Sequence, residues 1–350
     1  MQQPIRVLVV DDSAFLRKVV SQMLSRSDAI RVVGTARDGE EALEMVEKHR
    51  PDVVTLDLMM PVMDGVEFLK EQMRRRPVPV VVCSIAHESG EQALGALDAG
   101  AVDFVRKPTA LATEKVFEIA DELIAKVTAA AGVRMSRVES VRAALPADSR
   151  PAEPRRPGGA SAVDLVVIGI STGGPQALRY LIPQLPTDFP IPVVMVLHMP
   201  IGYTEMYARR LDEISPLRVV EAREGDVVGA GTVFLAPAGR HLTFVRDQDG
   251  SVRAHLDVHP TGTPHRPAVD VLFESAATLY GSRVLGVVMT GMGQDGLLGA
   301  AHVKAQGGTI ITEAESSCVV YGMPRVVDEA SLSDRSVPLD GMAAAIMEAV

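Results

Sequence analysis

The sequence predicts an α/β protein built from two doubly wound domains. The first has five parallel strands; the second is larger, mostly parallel, and includes an antiparallel hairpin. Three observations lead there. Short β-branched runs alternate with stretches of helical period along most of the chain, which implies βαβ crossovers and helices on both faces of a sheet. The alternation is interrupted once, by a polar segment rich in arginine and proline. The length of 350 residues also exceeds what one core usually organises.

In the first part the strand candidates are Val7–Val10, Val32–Thr35, Val53–Leu56, Val78–Cys83 and Asp103–Val105. Between them Phe15/Val19/Met23, Ala42/Met45/Val46 and Val66/Leu69/Met73 recur at helical spacing. A last amphipathic helix carries Val116, Ile119, Ala120, Leu123 and Val127. From Val133 to Ser161 six arginines, four prolines and Gly158-Gly159 leave little apolar surface to bury, so this reads as a tether. The expected partition is a first domain over 1–127, a linker over 128–161 and a second domain over 162–350. The second part offers Asp164–Ile170, Val193–Leu197, Val219–Ala222, Val233–Leu235, Val284–Met289 and Thr309–Thr312 as strands. His241–Val245 and Val252–Asp257, joined through Asp247-Gln248-Asp249-Gly250, read as the hairpin.

Composition narrows the function. A net charge of −10 and a pI near 5.4 argue against nucleic acid as the main partner. No apolar run approaches bilayer-spanning length. The start, Met1-Gln2-Gln3-Pro4, leads straight into a strand-like run and two aspartates, which is not a secretory pattern. Cys83 and Cys318 lie in or beside apolar runs and read as buried free thiols of a cytoplasmic protein.

Functional residues of an open parallel sheet collect at the carboxyl ends of its strands. Asp11 and Asp12 follow the first run, Asp57 the third, Ser84 the fourth and Lys107 the fifth. Three carboxylates at one sheet edge repel one another unless a hard divalent cation sits among them, and Mg²⁺ favours such ligands. A carboxylate held there can attack a phosphoryl group, with the metal and a lysine stabilising the developing charge. Ser84 supplies a hydroxyl for the added oxygens.

In the second part Gly169-Ile170-Ser171-Thr172-Gly173 fits the G-x-S-x-G turn that exposes a nucleophilic serine. The same glycine-rich turn can instead cradle phosphate at a helix amino terminus. A serine nucleophile needs a base, and the base an orienting acid. His198 ends the run Val193–Leu197, and Asp295 follows the run Val284–Met289, so three candidates fall at three strand ends. Lipase-like hydrolases run serine, acid, histidine; this order is serine, histidine, acid. Asp270 rivals Asp295, yet it opens an amphipathic helix, where an aspartate commonly caps.

With Met60-Pro61 and Asp64-Gly65, the first set resembles the response-regulator receiver, a flavodoxin-like domain. That implies Asp57 as phosphoacceptor, Asp11, Asp12 and Asp57 as Mg²⁺ ligands, Ser84 as switch hydroxyl and Lys107 as phosphoryl contact. Ser171-Thr172-Gly173-Gly174-Pro175, His198-Met199-Pro200, Arg266-Pro267-Ala268-Val269-Asp270-Val271-Leu272-Phe273, Thr290-Gly291-Met292-Gly293-Gln294-Asp295-Gly296 and Tyr321-Gly322-Met323-Pro324 resemble the chemotaxis protein-glutamate methylesterase (CheB) family. That resemblance implies hydrolysis of glutamate methyl esters on chemoreceptors, with glutamine deamidation in some members. It implies Ser171 as nucleophile, His198 as base, Asp295 as orienting acid, the Met292 N–H as oxyanion donor and Thr172 as a supporting polar group. It further implies a histidine kinase as phosphodonor and an unphosphorylated receiver that restrains the esterase.

Two other outputs compete with this expectation. A DNA-binding output domain is disfavoured by the acidic balance and the α/β pattern. A non-catalytic phosphate-binding scaffold would keep its function without the Ser171 hydroxyl. His255, His259 and His265 have spacing open to zinc, but no cysteine or paired carboxylate completes a site, so they read as loop or substrate-wall residues. The other histidines read as surface or capping residues.

Overall fold

The β-branched runs of the first part form five parallel strands: β1 (Ile5–Val10), β2 (Ile30–Ala36), β3 (Val53–Asp57), β4 (Val80–Ser84) and β5 (Asp103–Arg106). They lie in the order β2-β1-β3-β4-β5. Between and after them run α1 (Ala14–Leu24), α2 (Gly39–His49), α3 (Gly65–Arg75), α4 (Ala86–Ala99) and α5 (Glu114–Ala131). The computed structural model describes residues 3–84, 86–107, 114–136, 138 and 163–350. Most of the expected linker, together with Pro108, lies outside the described residues. The chain divides into two compact units, Met1–Arg142 and Ala143–Val350. Helix α5 runs to Ala131, past Val127, because Val127 and Ala130 are fully buried and extend its apolar face.

Local chemistry sets the helix starts of the first unit. Asp64 caps α3 in a reciprocal box: its side chain accepts from Glu67 N, and Glu67 accepts from Asp64 N. Gly65 follows because a Cβ there would lie 2.3 Å from the Asp57 carbonyl oxygen. The helix can thus approach the end of β3 only without a side chain at that position.

The second unit has seven parallel strands in the order β14-β13-β12-β6-β7-β9-β8. These are β6 (Leu165–Ile170), β7 (Val193–Leu197), β8 (Arg218–Glu221), β9 (Thr232–Leu235), β12 (Val284–Val288), β13 (Thr309–Glu313) and β14 (Arg335–Val337). The last was not expected: three residues reading Arg-Ser-Val carry too little apolar pattern to register alone, and pairing with β13 makes them a strand. Strands β6, β7 and β12 are buried along their whole length, as continuous apolar runs of a doubly covered sheet should be.

Strands β10 (His241–Arg246) and β11 (Val252–Asp257) form the antiparallel hairpin. It packs its apolar face on helix α8 (Val269–Tyr280). Leu242, Phe244, Val252 and Ala254 share a core with Leu272, Phe273, Ala276 and Ala277. Burying side chains of the size of Leu272 and Phe273 contributes about 1.5–3 kcal/mol each. The remaining helices are α6 (Gly174–Leu181), α7 (Thr204–Asp212), α9 (Leu297–Ala305), α10 (Met323–Glu329) and α11 (Leu339–Ala349). Among the described residues no helix is long and apolar enough to cross a membrane.

Candidate active site

In the first unit the end of the sheet gathers Asp11, Asp57, Ser84 and Lys107, all buried, with Asp12 exposed beside them. Carboxylate oxygens of Asp11, Asp12 and Asp57 lie within 4.8 Å of one another. Lys107 Nζ stands 2.8 Å from Asp11 Oδ2 and 2.7 Å from Asp57 Oδ2. Burial disfavours the Lys107 ammonium, but hydrogen bonds to Asp11 and Asp57 outweigh it and hold its pKa above the ordinary value. Backbone contacts fix the ring of ligands: Ser13 N donates to Asp11 Oδ1 at 2.9 Å and Met59 N to Asp57 Oδ1 at 3.3 Å. Three hard oxygen ligands within this spacing suit a divalent metal ion.

In the second unit the candidates come from three neighbouring strands of the sheet. Ser171 directly follows β6, the turn beyond it opening α6. Gly173 caps that helix with a φ of 81°, a left-handed conformation that glycine adopts freely. His198 directly follows β7, and its backbone N donates to Ile170 O at 3.2 Å, level with Ser171. Asp295 sits in the loop after β12. His198 Nε2 lies 2.8 Å from Asp295 Oδ2, with the two side chains only 8% and 9% exposed. Burial alone would raise the Asp295 pKa. The hydrogen bonds from His198 and from the Val269 and Asp270 backbone N–H groups hold it below the usual value.

With Nε2 facing the carboxylate, the tautomer that Asp295 favours carries its proton on Nε2 and leaves a lone pair on Nδ1. That nitrogen is buried without a hydrogen-bond partner, so no bond from Ser171 to His198 is formed in this state. Such contacts are often long before a substrate is bound. Close packing brings the Asp295 loop over the serine: a Cβ on Gly291 would lie 2.8 Å from Ser171 Cβ. Among the described residues no group takes up the Met292 N–H, which leaves it available to a ligand.

Asp270 does not bind His198. Nor does it cap its own helix, whose cap position is Ala268. Its Oδ1 accepts from Gly296 N at 2.9 Å and Gly299 N at 2.8 Å, so it caps α9 instead. Asp295, before α9, returns the favour by accepting the Val269 and Asp270 N–H groups at the start of α8. The two aspartates thus fasten two helix starts reciprocally.

A profile described as CheB methylesterase matches residues 166–346, and one described as response regulator receiver domain matches residues 7–116. The chain belongs to the CheB methylesterase family. A Myxococcus xanthus protein named protein-glutamate methylesterase/protein-glutamine glutaminase 5 is 52% identical over 97% of this chain and 97% of its own length. A Methanosarcina acetivorans protein of the same name, numbered 2, is 44% identical over 99% of each. The crystal structure of the Thermotoga maritima CheB methylesterase catalytic domain is similar with a TM-score of 0.52 and 44% identity. It covers 54% of this chain and 99% of that one.

In this CheB family member the histidines of the second unit make contacts that sequence spacing does not show. His265 stacks on His198, ring centroids 4.0 Å apart and 22° from parallel. Its loop position reads as a substrate wall, and its stacking partner lies 67 positions away in the sequence, where no local pattern points to it. His255 instead meets Glu224 at 3.0 Å and His259 meets Asp257 at 3.2 Å. Among the described residues only the Asp11, Asp12 and Asp57 group has metal-ligand spacing. His241 is not a surface residue. It is fully buried, with Nε2–H donating to Pro260 O and Nδ1 accepting from Ala268 N just before α8.

Glu313, the last residue of β13, is fully buried. It accepts from Thr290 N at 2.9 Å and from Ser317 Oγ at 2.9 Å. Burial pushes its carboxyl up from 4.5 to about 7. Between those values the folded chain holds a proton that the unfolded chain has released, so stability falls as pH rises through this window and levels off above it. The total loss is on the order of 3 kcal/mol. Glu313→Gln removes the titration. Urea midpoints measured at pH 5 and pH 8 should therefore show the variant gaining on the native chain at the higher pH. An equal difference at both would contradict the assignment.

Proposed function

We propose that this chain is a phosphorylation-activated serine esterase that removes methyl esters from glutamate side chains of chemoreceptors, releasing methanol, and that also deamidates receptor glutamines. The observation that supports it most is the 2.8 Å contact of His198 with Asp295 at the strand end beside Ser171. The names of the relatives add the substrate. In this reading residues 1–127 are the receiver, 128–161 the linker and 162–350 the catalytic domain, working in the cytoplasm on receptor tails.

Ser171 is the nucleophile. His198 Nδ1 takes its proton as the hydroxyl attacks the ester carbonyl, while Asp295 stabilises the imidazolium through Nε2–H. The Met292 N–H donates to the oxyanion, with Thr172 supporting the turn. One such donor is typically worth about 10² to 10³ in rate. His198 then gives the proton to the departing methoxide, and water releases the acyl group by the same route.

In the receiver Asp57 accepts a phosphoryl group from a histidine kinase. Asp11, Asp12 and Asp57 would hold Mg²⁺, which when bound neutralises charge on the phosphoryl oxygens. Lys107 and the Ser84 hydroxyl contact the added group. The test is methanol release from methylated receptor with and without a small acyl phosphate donor. The native chain should accelerate on adding the donor, and Asp57→Asn should show no acceleration. Equal acceleration in both would remove Asp57 from the switch.

A further inference from the structure

Thr290 stands between β12 and the loop of Met292 and Asp295, and it is almost fully buried. Each polar atom of this residue joins a different part of the site. Its carbonyl oxygen accepts from Ser171 N at 3.0 Å. Its hydroxyl donates to Thr172 O at 2.9 Å and accepts from Val320 N at 3.0 Å. Its own N–H donates to Glu313 Oε2 at 2.9 Å, and Ser317 Oγ fixes the other Glu313 oxygen. The next residue, Gly291, continues the lattice: its N–H donates to Val320 O, and its carbonyl accepts from Gly322 N and Met323 N.

We propose that Thr290 is a positioning residue for ester hydrolysis, locking the Ser171 turn to the loop of Met292 and Asp295, with buried Glu313 anchoring its backbone. The inference rests on the esterase reading given above and adds a residue to it. Thr290 touches no reacting atom. It sets the distance between the nucleophile, on one side of the lock, and the oxyanion donor and triad acid on the other. The hydroxyl's one proton faces Thr172 O at 2.9 Å and Val320 O at 3.3 Å, so no apolar isostere can reproduce the link. A misplacement of about 1 Å at a reacting centre costs roughly 10²-fold in rate.

Thr290→Val keeps the shape of the side chain and removes every hydroxyl hydrogen bond. In the full-length protein it should lower kcat for methanol release about 10²-fold with KM changed less than about twofold, because the substrate-binding surface is untouched. Labelling of Ser171 by a fluorophosphonate should slow in parallel. Thr290→Ser, which retains the hydroxyl, should recover most of the rate. A merely structural role would lower the melting temperature without this split between kcat and KM and without rescue by serine. Should Thr290→Val not fold, Thr290→Ala is scored the same way. Loss of folding in both would overturn the proposal, because it would assign Thr290 to the core.

A folded Thr290→Val with native kcat also overturns it. If the native chain and Ser171→Ala release methanol at the same background rate, the esterase reading fails, and this inference falls with it. An active native chain with an indifferent Thr290 removes the inference alone.

Discussion

Ser171→Ala should reduce ester hydrolysis by about 10⁶-fold, the scale seen when a serine hydrolase loses its nucleophile. The reason is local. Ser171 is the only hydroxyl directly following β6, and the neighbouring Thr172 sits one step into the turn. Alanine fits the space, since a Cβ already stands there against Gly291, so the fold should be retained. What survives is whatever the Met292 N–H and substrate binding supply, typically about 10³ to 10⁴ over water. Methanol release measured beside covalent labelling by a fluorophosphonate checks both halves. Retention of more than a small fraction of the native rate would remove Ser171 as nucleophile and return the glycine-rich turn to a phosphate-cradling role.

Asp295→Asn should lower kcat by about 10⁴-fold. Asp295 accepts three hydrogen bonds: His198 Nε2 and Val269 N on Oδ2, and Asp270 N on Oδ1. An amide nitrogen at either position faces a donor with another donor. If the amide keeps its oxygen toward Asp270 N, its nitrogen faces both Val269 N and His198, and His198 is pushed to the tautomer whose Nδ1 carries a proton and cannot accept one from Ser171. If it keeps its oxygen toward His198 and Val269 N, the Asp270 N–H at the start of α8 faces the amide nitrogen and loses its acceptor. The prediction is therefore a kinetic loss accompanied by a lower melting temperature. A variant with native kcat would place the orienting acid elsewhere.

The two sites differ in how far the sequence discloses them. Asp57, Lys107, Ser171 and His198 stand at the ends of apolar runs, and an open parallel sheet brings such ends together by topology alone. Reading the runs was enough to name them. Asp295 lies several residues beyond its strand and needed a motif as well. Thr290 and Glu313 also close apolar runs, but a strand-end threonine or glutamate ordinarily reads as solvated, and nothing local shows that Glu313 is buried against Thr290 N. Asp270 was read as a cap, and it is one, but for the next helix. That target depends on how closely α8 and α9 pack: a Cβ on Gly299 would lie 3.0 Å from the Asp270 Cα. The stack of His265 on His198 is likewise a tertiary event between a loop and a strand end. In the fold, β14 was invisible for the same reason, being a strand only by virtue of its partner.

The sheet order β12-β6-β7 has a consequence for how activity is acquired. Strand β6 pairs on one side with a segment close in sequence and on the other with β12, whose Val288 lies opposite Gly169. That second pairing closes a loop of well over a hundred residues, and distant closures of this kind are slow to form. Hydrolytic competence should therefore return late when the denatured chain is diluted into buffer, after most helical signal is regained. Turnover would then serve as a clock for the last long-range register to be set.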